Sequence, residues 1–383
     1  MSSNTVKVLN IISPGSGTFG GIEAYLLSYY EHMDHCKIHF DFAFCGVNTM
    51  TLHMNDEVFR ESEFIELKVL KRSGNNYRNW IELIDCIRRL VGEKRYDIVE
   101  VHTASPMIQA VCGIALKPIK ETLKIAHSHA LQEPSLNIFV NIASKMCIRI
   151  IRRTYDYFFA CSNAAGTMYG DKILHSERFR KVNNAIDCAK FAFNQQVREI
   201  IRNQNGVDEK CLIVGHVARL SEEKNQVFLV EVFNEIQKRK SNSKLWIVGE
   251  GEARKEIERR ACELGVSNSV ILFGQRSDVS DLLQAMDVFI ITSFLEGLCI
   301  SAIESQAAGL PTFVSMGVPE ECKVIDCFKR IDLALSPSEW ADIIVGYVDT
   351  IRKDTSIDIS SEGYDIQSAA LELERFYCEH HIC

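Results

Sequence analysis

The sequence predicts an α/β protein built from two tandem Rossmann-like, doubly wound domains. Apolar runs typical of buried parallel strands alternate with amphipathic helical segments, and the alternation starts again in the second half. The chain has 383 residues, about the length of two ordinary domains. We expect domains over 1–190 and 205–360, with a polar linker over 190–209 and a C-terminal segment over 361–383 that could return to the first domain. Because doubly wound sheets bind ligands outside the carboxyl ends of their strands, we expect the active site in the cleft between the domains.

The first half alternates regularly between strands and helices. The segment 6–13 is a continuous apolar run, which is typical of a strand buried on both faces. The segment 80–93 places its apolar residues on one face of a helix. The whole pattern predicts strands over 6–13, 38–45, 96–102, 123–130 and 155–162, and helices over 20–33, 80–93 and 105–116.

The second half begins the same alternation again, so a second parallel sheet is expected. A strand over 211–218 is followed by a helix over 226–238. Further strands are predicted over 243–248, 269–273, 288–292 and 312–315, with a helix over 252–264.

Composition excludes several other classes of protein. Apolar residues make up 46% and charged residues 25%, which is average for a soluble globular chain. No apolar run reaches the ~18 residues of a membrane span, and the start carries no secretion signal, so we expect a cytoplasmic protein. The 14 cysteines are scattered without a C-x-x-C pair, which agrees with a reduced compartment. Because the net charge is −8, we expect no nucleic-acid partner.

A glycine-rich loop follows the first predicted strand. Gly15, Gly17 and Gly20 match G-x-G-x-x-G between a strand and a helix, and Asp41 lies 21 residues after Gly20. This pattern keeps a dinucleotide site open as an alternative, although Asp41 falls inside the second predicted strand rather than at its end. In either case, the helix that begins near Gly21 would offer free N–H groups to an anionic ligand.

Charged side chains follow two predicted strands of the second half. Arg219 and Lys224 lie on the loop that leaves the first of these strands, where two cations could hold a diphosphate. Glu296 and Glu304 follow the strand over 288–292. We expect both glutamates on one helix, ~80° apart around its axis and ~12 Å along it, so that both face one extended ligand. Free N–H groups at the start of that helix could receive a phosphate.

These motifs resemble the large family-four group of retaining glycosyltransferases, which have the two-domain GT-B fold. The resemblance is specific over about 215–314 and looser in the first half. It rests on Gly-Gly-x-Glu at 20–23, on Arg219 and Lys224, on the Gly-Glu-Gly-Glu turn at 249–252, and on E-x7-E at Glu296 and Glu304.

Four further positions refine the resemblance. His127-Ser-His129 resembles the capsular and exopolysaccharide branch, and the period of a strand puts both histidines on one face. Cys299 stands where the family often has proline, and Ala185 stands where it usually has glycine. Neither departure removes a charged group, so we still expect an active enzyme.

The resemblance implies a role for each matching residue. His127 would lie beside the reacting centre, Glu296 would contact the donor sugar and Glu304 would accept hydrogen bonds from the ribose. The implied catalytic residues are His127, Arg219, Lys224 and Glu296, with His129 and Glu23 as secondary candidates. The implied donor-binding residues are Gly20, Gly21, Arg219, Lys224, Gln275, Arg276, Glu296, Gly297, Leu298 and Glu304.

The resemblance also implies the chemistry. The co-substrate would be a nucleotide-diphosphate sugar, with a UDP-sugar expected first, and neither a cofactor nor a metal would be needed. The leaving phosphate would take the proton of the acceptor on the same face of the sugar, so the anomeric configuration would be retained. The acceptor would be a lipid-linked glycan in cell-surface polysaccharide biosynthesis. A sugar-nucleotide epimerase on the same fold is the alternative.

One basic segment of the first half suggests a membrane contact. Residues 112–153 carry a net charge of +5, and the apolar stretch over 138–153 is too interrupted to span a bilayer. This stretch is either a core helix with a solvated basic end or a helix lying near an anionic inner leaflet.

Overall fold

The computed structural model describes residues 5–13, 21–46, 48, 50, 56–67, 77–129, 138–348 and 352–381. The chain forms two compact units. The first consists of Met1–Ala185 with Ile366–Cys383, and the second is Ile186–Asp365. Each unit has its own parallel sheet with hydrophobic clusters packed against it, which confirms the predicted pair of doubly wound α/β domains.

The sheet of the first unit is parallel throughout. Its strands are β1 Val6–Ile12, β2 Ile38–Phe44, β3 Phe64–Glu66, β4 Ile98–Thr103, β5 Leu123–Ser128, β6 Tyr157–Ala160 and β7 Phe179–Lys181. They lie in the order β3-β2-β1-β4-β5-β6-β7. All residues of β4 and β5 are buried, as expected for strands covered on both faces.

Helices flank this sheet between its strands. They are α1 Gly21–Glu31, α2 Tyr77–Lys94, α3 Pro106–Leu116, α4 Ile138–Thr154, α5 Asn163–Gly166 and α6 Asp171–Leu174. The start of α3 shows how local sequence sets such bounds. Ser105 accepts a hydrogen bond from the N–H of Ile108, and Pro106 occupies the first turn, where no backbone donor is needed.

The second unit repeats the arrangement with a second parallel sheet. Its strands are β8 Leu212–Val217, β9 Ser243–Val248, β10 Val270–Gly274, β11 Val288–Ile291, β12 Thr312–Ser315 and β13 Phe328–Ile331. They lie in the order β10-β9-β8-β11-β12-β13. The buried residues Trp246 and Trp340 lie in the two hydrophobic clusters of this unit.

The helices of the second unit follow its strands in turn. They are α7 Cys188–Phe191, α8 Gln195–Gln204, α9 Gln226–Arg239, α10 Arg254–Glu263, α11 Val279–Ala285, α12 Ile300–Ala307, α13 Pro337–Val345 and α14 Ser356–Ile359. The last helix, α15 Ile366–His380, belongs to the first unit.

The expected linker over 190–209 is wrong, because α8 occupies its middle. Ile201 of this polar-looking helix is buried in the core of the second unit. Arg202 is buried beside it and donates to the backbone carbonyl of Ala285 at 2.7 Å. The second unit therefore begins at Ile186 rather than after the polar stretch.

In both sheets the strand order reverses between two central strands. These switch points lie between β1 and β4 in the first unit and between β8 and β11 in the second. Ligands of doubly wound proteins bind outside the carboxyl ends of the strands at such a point. Each unit therefore has one topologically defined place to look for a site.

Among the helices of the described ranges, none combines the length and the apolar character needed to cross a membrane. The cysteines in those ranges are free thiols.

Candidate active site

A short ion pair lies at the switch point of the second unit. Lys224 Nζ is 2.7 Å from both carboxylate oxygens of Glu296. Ser293 Oγ donates to the same carboxylate at 2.6 Å. Burial lowers the pKa of Lys224, but the attraction of Glu296 outweighs burial and the net pKa is raised. The structure thus brings together two residues that the sequence places 72 positions apart.

Backbone contacts fix both loops that carry this ion pair. Thr292 Oγ1, at the end of β11, donates to the backbone carbonyls of Lys224 and Asn225 at 3.2 and 2.9 Å. The N–H of Glu296 donates to the carbonyl of Gly317 at 3.0 Å. The loops that follow β8, β11 and β12 are therefore joined, which limits the freedom of the two charged groups.

Arg219 lies on the same loop as Lys224 but has a different partner. Its guanidinium forms an ion pair with Glu223. The Arg219 side chain keeps 37% of its surface exposed, whereas that of Lys224 keeps 21%. The two side chains that are predicted to bind a diphosphate therefore lie on one loop, and each forms an ion pair with a different glutamate.

The Gly-Glu-Gly-Glu turn supports the Arg219 loop through its backbone. Gly249 has a φ of 138°, and a Cβ there would lie 1.9 Å from the carbonyl oxygen of Ala218. The N–H of Leu220 donates to the carbonyl of Glu250 at 2.9 Å. Glycine is required because the loop backbone passes directly against the turn.

Glu296 and Glu304 do not share a helix, so that part of the prediction is wrong. The helix α12 begins at Ile300, and Cys299 before it has an extended backbone with φ −91° and ψ 95°. The loop that contains Glu296 is instead held against Gly317 by its backbone hydrogen bond. The sequence spacing of eight residues could not reveal this loop.

Glu304 lies on α12 and is half-buried. Burial raises the pKa of its carboxyl group to about 7, while Lys190 acts in the opposite direction. Near neutral pH this carboxyl group is therefore close to the midpoint of its titration. A ligand hydroxyl that donates a hydrogen bond to it would favour the ionised form.

The other predicted donor residues of the second unit lie on two loops. Gln275 and Arg276 are exposed after β10, and Arg276 Nε donates to Asp278 at 2.7 Å. Gly297 and Leu298 are half-buried in the loop before α12. None of these placements tests their predicted roles, which stay predictions.

In the first unit, the predicted glycine loop lies mostly outside the described residues, and Gly20 with it. Gly21 is the exposed first residue of α1, as expected, and Glu23 is buried two positions later. Asp41 lies within β2, where it accepts hydrogen bonds from the Tyr96 hydroxyl at 2.8 Å and the N–H of Glu63 at 2.7 Å. Because these donors already occupy Asp41, it is poorly placed to bind the ribose of a dinucleotide.

A buried histidine cluster lies at the carboxyl ends of β4 and β5. The rings of His127 and His129 stack with centroids 4.1 Å apart, and His102 Nδ1 is 3.0 Å from His129 Nε2. His127 Nδ1 is 2.6 Å from Glu100, whose other oxygen accepts from the Tyr377 hydroxyl at 2.6 Å. The sequence pointed to His127 and His129, but it missed the other three.

Two of these three missed residues carry a weak sequence signal. Glu100 and His102 alternate on β4 within the run Val99–Thr103, and a buried glutamate in a central strand needs a partner. Tyr377 is 277 positions away from Glu100 in the chain, so only the return of α15 brings them together.

The histidines are neutral in this environment. Burial lowers the pKa of His127 to about 3, and it also lowers the pKa values of His102 and His129. One ligating atom from each of the three lies within 4.8 Å of the others. However, His102 Nδ1 and His129 Nε2 are 3.0 Å apart, so one of these two nitrogens donates a hydrogen bond to the other. This arrangement suits hydrogen bonding better than tetrahedral metal coordination.

The helix α4 has features of both alternatives that the sequence left open, a core helix and a helix with an exposed apolar side. Ile151 is buried in the core of the first unit. Three apolar residues spaced four positions apart on this helix are exposed: Ile138, Ile142 and Met146 keep 67%, 51% and 64% of their surface accessible. The helix therefore packs through one side and carries an exposed apolar stripe on another.

The two doubly wound parallel sheets, each with one switch point, are the architecture of GT-B structures. Residues 197–349 match the family model "Glycosyl transferases group 1". The second unit thus carries a group 1 glycosyltransferase domain, and the chain is a glycosyltransferase.

Two curated relatives match most of the chain. EpsF of Bacillus subtilis, named as a glycosyltransferase, is 26% identical over 90% of this chain and 88% of its own. The UDP-Gal:alpha-D-GlcNAc-diphosphoundecaprenol alpha-1,3-galactosyltransferase of Escherichia coli is 22% identical over 72% of this chain and 71% of its own.

The fold is also shared with solved structures. HepE of Anabaena, crystallised in complex with UDP, superposes with a TM-score of 0.77 over 98% of this chain and 100% of its own, at 18% identity. These comparisons give no support to the epimerase alternative.

Proposed function

We propose that the protein transfers a sugar from a nucleotide-diphosphate sugar, most simply a UDP-sugar, to a lipid-linked glycan with retention of configuration and without a metal. The Lys224–Glu296 ion pair at the β8–β11 switch point carries this proposal. In this pair a cation and a carboxylate lie where doubly wound sheets receive a ligand, which supports donor binding there. The UDP complex of HepE supports the nucleotide, and the name of the Escherichia coli relative supports the acceptor.

The charges of the second unit fit the departure of a diphosphate. Negative charge grows on the leaving group as the glycosidic bond breaks. Lys224 and Arg219, on one short loop, would stabilise that charge, and the N–H groups at the start of α12 would assist. Glu304 would accept hydrogen bonds from the ribose once ionised. The leaving phosphate would take the proton of the acceptor, so no protein carboxylate is required as a nucleophile.

The test begins with binding and ends with the product. Full-length protein is screened by thermal shift against UDP, GDP and their sugar derivatives, because a ligand of the folded state raises the melting temperature. The best donor is then incubated with a diphosphoundecaprenol-linked acceptor in the presence of a chelator. NMR of the product reports the anomeric configuration. An inverted product, or activity that only an added metal restores, would contradict retention or metal independence respectively.

We also propose that α4 contacts an anionic membrane surface that presents the acceptor. Its exposed apolar stripe of Ile138, Ile142 and Met146 lies beside the exposed basic residues Lys145 and Arg149. Interfacial helices combine these two features, and each basic residue near an anionic leaflet contributes roughly 1 kcal/mol.

Sedimentation with vesicles tests this surface on the full chain. Binding to anionic vesicles should exceed binding to neutral ones and weaken as salt rises. The double variant Lys145→Glu, Arg149→Glu should lose at least about tenfold in affinity. Lys172→Glu, Lys181→Glu makes the same charge change at exposed positions elsewhere in the first unit and should bind like the wild type. Equal, salt-independent recovery with both vesicle types would refute the proposal.

A further inference from the structure

The last helix of the chain contacts the histidine cluster through a buried carboxylate. The Tyr377 hydroxyl of α15 donates to Glu100 Oε2 at 2.6 Å, and Glu100 Oε1 lies 2.6 Å from His127 Nδ1. The three side chains come from α15, β4 and β5, and each is buried. The contacts form a continuous path from α15 to the carboxyl-terminal edge of the sheet.

The helix is fixed so that Tyr377 reaches Glu100. Glu374, one turn earlier on α15, accepts from Lys37 Nζ and from the N–H of Asp34, both at 2.9 Å. The ring of Tyr377 also packs edge-on against Phe40 of β2, with centroids 6.1 Å apart. These contacts hold the hydroxyl in place without any help from Glu100 itself.

The second ring nitrogen of His127, on the side of the imidazole away from Glu100, has no partner of this kind. His127 Nε2 is buried and has no hydrogen-bond partner among the described residues. An orphaned polar atom in a core costs free energy, so it needs an explanation such as a ligand contact. Because burial keeps the His127 ring neutral, only one of its nitrogens carries a proton.

We propose that Glu100 and Tyr377 are positioning residues that hold the proton of His127 on Nδ1 and thereby present Nε2 to a sugar hydroxyl as an acceptor. An ionised carboxylate only accepts hydrogen bonds, so its contact with Nδ1 requires the proton there. Tyr377 donates the second hydrogen bond, which helps the carboxylate to stay ionised in a buried place. Burial raises the pKa of Glu100, and His102 and the hydrogen bond from Tyr377 act in the opposite direction, so the tyrosine favours the ionised carboxylate.

This inference rests on the proposed sugar transfer for the role of Nε2, but the tautomer can be measured without it. Full-length protein labelled with [15N]histidine is examined by long-range 1H–15N correlation, with a His127→Gln spectrum for assignment. The expected result is a neutral His127 protonated at Nδ1. Glu100→Leu should abolish this preference, and Glu100→Gln, whose amide oxygen can still accept from Nδ1, should keep it.

Kinetics separate positioning from folding. Tyr377→Phe should lower kcat about tenfold with little change in KM, the size expected for losing one hydrogen bond to a buried charge. Glu100→Leu should lower kcat on the order of 10²-fold. The matched control is Tyr155→Phe, because Tyr155 is equally buried and its hydroxyl donates to a backbone carbonyl, that of Gln109, at 2.7 Å. It should behave like the wild type.

Three results would overturn the proposal. They are an Nε2-protonated His127 in the wild type, identical tautomers and kinetics in Tyr377→Phe and Tyr155→Phe, and a stoichiometric metal whose removal shifts the His127 signals. A wild-type protein that shows the Nδ1 tautomer but transfers no sugar would instead contradict the proposed function and the role of Nε2, while leaving the positioning of the proton in place.

Discussion

Replacing Lys224 by methionine should destabilise the second unit by about 2 kcal/mol. Methionine keeps the apolar stem and removes only the charge. The Glu296 side chain is 9% exposed and would lose two contacts of 2.7 Å, leaving Ser293 as its remaining side-chain donor. Hydrogen bonds to charged groups contribute about 1.5–3 kcal/mol, and breaking a fully buried ion pair costs about 3–5 kcal/mol. We take the lower range because Lys224 remains 21% exposed.

Tryptophan fluorescence can isolate this effect in the full chain. The sequence has three tryptophans, and Trp246 and Trp340 are both buried in the second unit. In a Trp80→Phe background, urea unfolding followed by fluorescence therefore reports the second unit alone. A loss of 2 kcal/mol corresponds to about 4–8 °C in the melting temperature of a domain of this size.

A double-mutant cycle supplies the control and the refutation. Glu296→Gln removes the charge that Lys224 leaves behind, so the double variant should recover part of the loss, with a coupling of about 1.5–3 kcal/mol. Lys238→Met removes a similar charge from the exposed pair with Glu235 and should cost less than about 0.5 kcal/mol. If Lys224→Met costs no more than Lys238→Met, the pair is not a stabilising feature of the switch point and the reasoning fails.

Three further predictions concern the same site. UDP-glucose affinity should rise as pH rises from 6 towards 8, because burial raises the pKa of Glu304 to about 7 and the ribose would favour the ionised carboxylate. Calorimetry in buffers of different ionisation enthalpy should show that binding releases a proton. The affinity of Glu304→Gln should not change over this pH range. Arg219→Ala should lower kcat/KM by an amount that corresponds to ~2.7–4 kcal/mol of transition-state stabilisation. Glu223→Gln, which removes the ion-pair partner of Arg219, should leave kcat/KM unchanged. Equal losses in the two variants would indicate a purely structural ion pair. Gly249→Ala should destabilise the second unit by more than about 3 kcal/mol in urea unfolding, since its Cβ would lie 1.9 Å from a carbonyl oxygen. Gly206→Ala, with φ 61° and open space around it, should cost only about 1–2 kcal/mol, and similar costs would refute the steric argument.

The fold was predictable because each central strand is specified locally. The repeated alternation of strand-like and helix-like segments predicts β9 and β12 with their observed bounds, and nearly all residues of these strands are buried. The strands β3, β7 and β13 were missed. They have only three or four residues and include half-buried or exposed positions, so they carry no apolar run to detect.

The linker prediction failed for a different physical reason. The polar sequence predicts exposed chain, but the arginines of α8 donate hydrogen bonds to backbone carbonyls. Arg198 donates to the carbonyls of Ala285 and Met286 at 3.1 and 3.0 Å and pairs with Asp287. Hydropathy counts arginine as solvent-exposed and cannot tell that it will satisfy the end of another helix.

The candidate site shows the same division between local and long-range information. The loop that carries Arg219 and Lys224 is predictable because a loop after a strand is a local feature. The sequence does not predict which carboxylate pairs with each of these two cations. Lys224 meets Glu296 only because the order of the sheet places β8 beside β11, a pairing that no spacing in the sequence reveals. In the first unit, Glu100 meets Tyr377 because α15 returns to the sheet from 277 positions along the chain. Motifs can therefore propose candidate side chains, but the groups that set their charge and orientation follow from tertiary contacts and need the structure.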